Sequence, residues 1–174
     1  NMMGFSKRVC ELYIEENNSL FQSVKILRFG NVLESNGSVI PIFKAQINSG
    51  GPVTVTSFKA TRYFMTIPQA CDLIVSVDSL IAENGTFIFD MGENQSIVEL
   101  AKKLICDSGF QYSFSKEIGT IQIVEIGLRP GEKEHEVLTT GQLVQTSVEN
   151  VFKASERHDS LDTKIILTLK EYGS

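Results

Sequence analysis

The chain has few of the residues that build several common kinds of site. Tryptophan is absent, and the 174 residues include only two histidines and three cysteines. There is no CxxC pair and no histidine cluster, so no pattern typical of a metal site is present. The cysteines, Cys10, Cys71 and Cys106, are odd in number and far apart, which favours free thiols over a disulfide framework. Their apolar neighbours predict that these thiols are buried.

The chain also lacks an excess of positive charge and a long apolar run. Lys plus Arg is 16 against 21 for Asp plus Glu, a net charge of -5, which argues against nucleic acid as the main partner. No apolar run approaches the ~20 residues that cross a bilayer, and no signal peptide is recognisable. We therefore expect a cytoplasmic protein. An anchor at the inner membrane would belong to a segment that precedes Asn1 in a longer parent.

Helical and extended patterns alternate along the chain, which predicts an α/β architecture. Apolar spacing predicts helices over 3–16, 39–47, 66–82, 96–106 and 160–170, and a short helix after Arg129-Pro130-Gly131-Glu132. Short apolar or β-branched runs predict strands at 24–29, 52–56, 87–89 and 120–126. Ser96 and Glu99 have the spacing of a capping box, and Ser38 is a candidate N-cap.

A tyrosine four residues before a lysine on one helix is the catalytic pair of many dehydrogenases. Lys7 lies on the first predicted helix, but the position four residues earlier is Met3, whose thioether holds no exchangeable proton. Tyr112 and Lys116 have the right spacing, yet the alternating pattern over 110–115 predicts an extended segment. Side chains four residues apart on a strand are separated by more than ~13 Å, so this second pair cannot cooperate.

Seven motifs follow one another along almost the whole chain. They are Asn-x-Met-Gly-x-Ser-Lys-Arg at 1–8, Arg-Phe-Gly-Asn-Val-Leu at 28–33, Gly-Ser-Val-Ile-Pro at 37–41, Gly-Gly-Pro-Val-Thr-Val-Thr at 50–56, Thr-Arg-Tyr-Phe-Met-Thr at 61–66, Leu-Arg-Pro-Gly-Glu-Lys at 128–133 and Val-Phe-Lys-Ala at 151–154. In this order they resemble the bacterial polysaccharide-biosynthesis nucleoside-diphosphate-sugar 4,6-dehydratases that act on UDP-N-acetylglucosamine. These are extended short-chain dehydrogenase/reductases in which methionine replaces the usual tyrosine.

The resemblance implies the C-terminal part of an NAD(P)-binding Rossmann-like fold, with its last helix and strands and the substrate-binding subdomain. We expect one unit over 1–174. Residues 1–34 would end the dinucleotide-binding domain, and 35–174 would form mainly the sugar-nucleotide subdomain, with a sheet strand returning near 86–91. No GxGxxG occurs here, and the family's Thr-Asp-Lys acid–base segment would precede Asn1. The chain is thus expected to be inactive alone and incomplete as a folding unit, with a homo-oligomeric parent.

The resemblance also assigns catalytic and cofactor roles near the start of the chain. Met3 would pack beside the sugar, and Lys7 would hold the cofactor ribose. Phe29 and Gly30 would border the nicotinamide. The cofactor, NAD(P), would be bound mainly by the half that is missing here, and no metal is implied.

The substrate-binding residues that the resemblance implies surround a UDP-sugar. Arg62 and Arg129 would clasp the diphosphate, since guanidinium groups match phosphate geometry. Asn31 and the backbone N–H groups of Ser38 and Val39 would also contact it. Glu132 would accept bonds from the ribose hydroxyls, and Thr54 and Val55 would lie along the base.

The implied product is a 4-keto-6-deoxy nucleotide sugar for surface polysaccharide. A nucleotide-sugar epimerase and a non-catalytic sugar-nucleotide-binding module remain the alternatives, although the lack of a phenol at Met3 favours the dehydratase. Taken alone, Arg62 and Arg129 also fit ordinary surface ion pairs, Glu132 fits charge complementation at a helix N-terminus, and Asn31 fits a turn.

Overall fold

The computed structural model describes residues 2–33, 35, 37–80, 83–139 and 141–155. The contacts divide the chain into two compact units. Unit 1 collects Asn1–Arg28, Leu73–Asp90 and Thr139–Ser174, and unit 2 collects Phe29–Asp72 and Met91–Leu138. The expected division into 1–34, the end of a dinucleotide-binding domain, and 35–174, mainly a sugar-nucleotide subdomain, stays a prediction. The helix predicted over 160–170 lies outside the described residues.

Helices and strands alternate through the described residues, as the sequence predicts. In chain order they are α1 (Met2–Glu16), β1 (Lys25–Arg28), β2 (Asn31–Val32), α2 (Val39–Asn48), β3 (Val53–Val55), β4 (Thr61–Arg62), β5 (Phe64–Met65), α3 (Ile67–Asp78), β6 (Gly85–Phe89), β7 (Gln95–Ser96), α4 (Ile97–Asp107), β8 (Gln111–Ser113), β9 (Thr120–Glu125), β10 (Gln142–Gln145) and β11 (Val151–Ser155).

Unit 1 contains a four-stranded sheet in the order β1-β6-β11-β10. β1 and β6 are parallel, with Leu27 opposite Phe87, whereas β11 runs antiparallel to both β6 and β10. Three successive residues of β6, Thr86, Phe87 and Ile88, are buried. A strand covered on both faces is expected to be apolar without alternation, and this is the pattern that predicted β6.

Unit 2 is built on a three-stranded parallel sheet in the order β3-β9-β8. Alternate residues of β3 and β9 are buried and meet α2 and α4 in one apolar core. The buried members of that core are Phe43, Ile47, Val53, Val55, Ala60, Ile97, Val98, Ala101, Ile105, Ile121 and Ile123. Two short pairs complete the unit: β2 with β5, which are parallel, and β4 with β7, which are antiparallel.

The two predicted helix caps differ in how they are made. Ser96 caps α4, because its Oγ accepts the Glu99 N–H at 3.3 Å, as the capping-box spacing predicts. Ser38 precedes α2 with an extended backbone, but its hydroxyl makes no capping bond. The hydroxyl of Ser38 is buried and has no hydrogen-bond partner among the described residues.

Several sequence predictions are wrong. Residues 129–132 form a turn, and the short helix predicted after them is not present in 133–139. β10 and β11 are strands at positions where no strand was predicted. All three cysteines are exposed, not buried. Among the described helices, none is long and apolar enough to cross a membrane.

Candidate functional site

Met3 and Lys7 lie one turn apart on α1. The helix is continuous from Met2 to Glu16, so the two side chains lie on the same face. Met3 is 66% exposed. Lys7 is also exposed and has no ion pair with another described residue. The arrangement presents an ammonium beside a thioether, with no phenol at the position four residues before the lysine.

A three-residue ion cluster anchors α1 to the end of β1. Arg28 donates through Nε and Nη2 to the two carboxylate oxygens of Glu11, at 2.9 and 2.7 Å, and Arg8 donates to the same carboxylate at 3.0 Å. Burial acts to raise the pKa of Glu11, but the hydrogen bonds from Arg28 and Arg8 outweigh it and hold that pKa below its ordinary value. No motif in the sequence marks Glu11, whose only signal is its place one turn after Lys7.

Gly30 lies where two backbone segments of unit 2 approach closely. Its N–H points at the Met91 Sδ, 2.9 Å away, and a Cβ built on Gly30 would lie 2.6 Å from both the Cβ and the carbonyl oxygen of Tyr63. The next residue, Asn31, donates its backbone N–H to the same Tyr63 oxygen at 2.8 Å. Asn31 is exposed, and its side chain makes no hydrogen bond within the described residues. The glycine is therefore required by space, and the amide beside it is available to a ligand.

The start of α2 has the features of an anion site. The first N–H groups of a helix have no partner within it, and Pro41 has no N–H, so the N–H groups of Val39 and Ile40 are left without a partner in α2. The buried hydroxyl of Ser38, unpartnered in the described part of the chain, lies at the same end.

Thr54 and Val55 differ in what they could offer a base. The Gln46 amide holds Thr54 at both ends: its Oε1 accepts the Thr54 N–H at 3.0 Å, and its Nε2 donates to the Thr54 hydroxyl at 2.8 Å. The side chain of Val55 is 2% exposed and belongs to the core. Only the backbone of Val55 could face a ligand.

Arg129 and Glu132 form the two ends of a turn. The Glu132 N–H donates to the Arg129 carbonyl at 2.9 Å, and the Arg129 N–H donates back to Glu132 Oε2 at 3.2 Å. Gly131 sits at φ 75°, in the left-handed region that favours glycine. Thr56 donates its hydroxyl to Glu132 Oε1 at 3.1 Å. Arg129 is exposed, and its guanidinium has no hydrogen bond or ion pair with any described residue.

The Arg62 guanidinium is buried beside the same turn, and it donates hydrogen bonds to backbone carbonyls. Nη1 donates to the carbonyl oxygens of Thr61 and Glu134, both at 2.8 Å, and Nη2 donates to that of Lys133 at 2.9 Å. The carboxylates of Glu132 and Glu136 each lie 3.6 Å away, the first from Nη2 and the second from Nε.

Residues 57–61, between β3 and the first residue of β4, bind the residues on both sides of the Arg129–Glu132 turn. Ser57 donates its hydroxyl to Glu134 at 2.8 Å, and the Phe58 N–H donates to Glu125 at 2.6 Å. The Thr61 N–H donates to the Glu134 carbonyl at 2.9 Å, and the Thr61 hydroxyl lies 2.9 Å from His135 Nδ1. These contacts could not be predicted, because nothing local in the sequence relates residues some seventy positions apart. Within the described ranges, no three His, Cys, Asp or Glu side chains are placed to hold a metal ion.

Comparison with known proteins identifies the family. Residues 1–156 match the family described as polysaccharide biosynthesis protein. The chain belongs to this family. It is 45% identical over 163 residues to the capsular polysaccharide biosynthesis protein CapD of Staphylococcus aureus, covering 91% of this chain and 26% of CapD. It is 32% identical over 146 residues to a UDP-glucose 4-epimerase of Rickettsia akari, covering 82% of this chain and 40% of the epimerase.

Two solved structures are similar in fold to this member of the family. The X-ray structure of Pen from Bacillus thuringiensis superposes with a TM-score of 0.60 at 32% identity, covering 84% of this chain and 49% of Pen. A UDP-N-acetylglucosamine 4-epimerase from Methanobrevibacter ruminantium, in complex with UDP-N-acetylmuramic acid, superposes with a TM-score of 0.56 at 20% identity over 95% of this chain and 51% of its own. The fold is thus the α/β, Rossmann-type fold of such proteins, and the chain spans about a quarter to a half of its relatives.

The predicted site residues of this family member fall into separate groups. Met3 and Lys7 belong to unit 1, and the other predicted site residues belong to unit 2. Within unit 2 the structure brings Arg62, Arg129 and Glu132 together around one turn.

Proposed function

We propose that the protein carrying this chain is a nucleotide-sugar-modifying enzyme, a UDP-N-acetylhexosamine 4,6-dehydratase for surface-polysaccharide biosynthesis. The observation that carries the proposal is the turn of unit 2. It presents an exposed guanidinium, Arg129, three residues from a carboxylate, Glu132, that is fixed by its neighbours. A cation and a hydrogen-bond acceptor at this spacing suit the phosphate groups and the ribose hydroxyls of a nucleoside diphosphate.

The first turn of α2 supports a second contact with the diphosphate. A helix N-terminus, whose first N–H groups have no partner within the helix, stabilises an anion. The unpartnered Ser38 hydroxyl can donate to a phosphate oxygen, and its burial without a partner is otherwise unfavourable. In this proposal the side chain of Asn31 donates to the same substrate.

The pair on α1 determines the proposed reaction type. NAD(P), when bound, would accept and return the hydride. The exposed Lys7 ammonium, which has no described ion partner, fits a role in holding the cofactor ribose hydroxyls. Met3 supplies bulk beside the sugar and moves no proton, so the acid and base must come from elsewhere in the longer protein. A 4,6-dehydratase needs such groups to remove the C5 proton and to protonate the leaving C6 hydroxyl.

An epimerase is the second candidate, because the chain is 32% identical to a UDP-glucose 4-epimerase. A binding module without chemistry is the third. We expect the parent to be a homo-oligomer and this chain alone to be inactive, because it has no GxGxxG loop.

Product analysis of the full-length protein separates the three candidates. With UDP-N-acetylglucosamine and NAD, we expect a 4-keto-6-deoxy product by mass spectrometry, a loss of one water. A product of unchanged mass but altered configuration would indicate the epimerase, and binding with no product would indicate the module.

Calorimetry with UDP tests the binding site itself. Arg129→Ala removes charge-assisted bonds worth ~1.5–3 kcal/mol, so we expect UDP affinity to fall about tenfold to hundredfold. Lys59→Met, which removes an exposed cation from unit 2 but leaves the turn intact, is the control. If Arg129→Ala binds UDP as tightly as the wild type does, the turn is structural and the proposal loses its main support.

A further inference from the structure

An ion cluster within unit 1 fixes the middle of α1 to the carboxyl end of β1. Both oxygens of the Glu11 carboxylate are bound: Arg28 donates to them at 2.9 and 2.7 Å, and Arg8 donates to one of them at 3.0 Å. The side chains of Glu11 and Arg28 are only 18% and 19% exposed. Arg28 is the last residue of β1 and lies opposite Ile88 of β6, so the sheet holds one side of the cluster in place.

The direction of α1 relative to β1 determines where Lys7 lies. Glu11 meets Arg28 at the end of the strand. Glu15, one turn later on the helix, lines a cavity with Ile26, near the start of the strand, so α1 runs antiparallel to β1. Lys7 is one turn before Glu11, and four residues at ~1.5 Å each carry it about 6 Å further along the helix axis. The turn that bears Lys7 therefore extends past the carboxyl end of β1, where α/β folds bind their ligands.

From this geometry we propose that Glu11 is a positioning residue: bound by Arg28, it fixes the rotation of α1 and leaves the ammonium of Lys7 unpaired and directed at the cofactor. The inference rests on the proposed function for the cofactor that Lys7 meets. Glu11 itself touches neither cofactor nor substrate in this proposal, and it acts only through Lys7.

The two arginines also keep Glu11 from binding Lys7. A lysine and a glutamate four residues apart on a helix are neighbours and can form an ion pair. Here the guanidinium groups occupy both carboxylate oxygens, and Lys7 has no ion pair with another described residue. A guanidinium fork matches the geometry of a carboxylate better than an ammonium does. The ammonium of Lys7 therefore stays available to a ligand.

A double-mutant comparison in the full-length protein tests the assignment. NAD affinity is measured by calorimetry for Glu11→Gln in the wild-type background and in a Lys7→Ala background. Glutamine lacks one of the two acceptor oxygens and turns an NH₂ group toward a guanidinium, so the fork cannot form. If Glu11 acts through Lys7, we expect at least a tenfold loss in the first background and less than a twofold loss in the second. An equal loss in both backgrounds, or no loss in the first, would overturn the proposal.

Further variants separate positioning from a general loss of structure. Arg28→Lys keeps the positive charge but cannot make the fork, so we expect it to lose as much NAD affinity as Glu11→Gln does. Full NAD affinity in Arg28→Lys would refute the need for the fork. Glu16→Gln, which removes an exposed carboxylate from the same helix, should bind NAD as the wild type does. UDP affinity should change less than twofold in all three variants, and a loss of UDP affinity as large as that of NAD would also overturn the proposal.

Hydrogen exchange separates this inference from the proposed function. Without ligand, Glu11→Gln should speed exchange at the α1 amides of residues 7–12 at least tenfold, while the Ile105 amide in α4 stays unchanged. If the wild type binds no NAD, or if Lys7→Ala binds NAD as tightly as the wild type does, the proposed cofactor role of Lys7 fails. The exchange result alone then decides whether Glu11 holds α1, and unchanged exchange over 7–12 would refute that role.

Discussion

The close approach at Gly30 provides a sharp test of the packing in unit 2. In Gly30→Ala the new Cβ would lie 2.6 Å from two atoms of Tyr63, whereas ordinary contact begins at 3.4 Å, so the segments must separate by about 0.8 Å. The Asn31 N–H to Tyr63 bond at 2.8 Å and the pairing of β2 with β5 lie directly beside the clash. Overpacking of this kind costs about 1–3 kcal/mol. Since the clash involves the backbone, we expect a loss of about 3 kcal/mol.

A matched glycine separates steric clash from backbone strain. Gly50 has φ 85° with nothing within 4 Å of a built Cβ, so Gly50→Ala tests conformation alone, at about 1–2 kcal/mol. Gly30 does not have a φ in the left-handed region, so its whole penalty should be steric. Because the Tyr63 contacts involve its Cβ and its carbonyl oxygen, adding Met91→Ala to Gly30→Ala should restore little.

Urea unfolding of the full-length variants, combined with hydrogen exchange on peptides of unit 2, measures both effects. We expect Gly30→Ala to lose more stability than Gly50→Ala and to weaken UDP binding through displacement of Asn31. A Gly30→Ala protein no less stable than Gly50→Ala would refute the steric reasoning.

Three further predictions concern unit 1. Thr86→Val should stabilise unit 1 by about 1 kcal/mol, because the buried Thr86 hydroxyl has no described partner. Thr146→Val should destabilise the same unit, because the Thr146 hydroxyl donates to the Val151 carbonyl at 2.8 Å. Thermal unfolding of the two variants tests both expectations. The pKa of Glu11 is lowered in the folded state, so the contribution of its ion pairs to the free energy of unfolding should be complete above the ordinary carboxyl pKa of about 4.3. That contribution should disappear as the pH falls through the lower pKa of the folded state. A difference in stability between the wild type and Glu11→Gln that persists at the acid end of the pH range would contradict this. Met3→Tyr should not raise turnover in the full-length protein, and a clear gain in kcat would show that a phenol is missed there.

Local patterns predicted the elements whose stability is decided locally. Helical spacing located α1, α2 and α4 to within about two residues, and Ser96 with Glu99 identified a real cap. Strand β10 was missed because all four of its residues are exposed and no alternation marks them. Its pairing with β11 is decided by distant partners, which a local pattern cannot reveal.

The residues of the candidate site were likewise predictable only where their signal is local in the sequence. Arg129 and Glu132 were recognised from one contiguous motif, and the structure places them at the ends of one turn. The expected helix after them does not form: Gly131 adopts a left-handed backbone, and Arg62 takes the carbonyls that a helix would use. The burial of Arg62 depends on contacts with residues some seventy positions away, so no local pattern could distinguish it from Arg129.

The order of strands in unit 1 has a consequence for synthesis on the ribosome. β6 pairs with β11, and the whole of Met91–Leu138 is translated between them. At a translation rate of roughly 5–20 residues per second, several seconds pass between the synthesis of β6 and that of β11, its second neighbour in the sheet. During that time its unpaired edge and the side chains of Phe87 and Ile88 are open to other chains. A nascent chain interrupted before Val151 would therefore keep the edge of β6 unpaired and prone to aggregation. We therefore expect chaperone binding during translation to be more important for unit 1 than for unit 2.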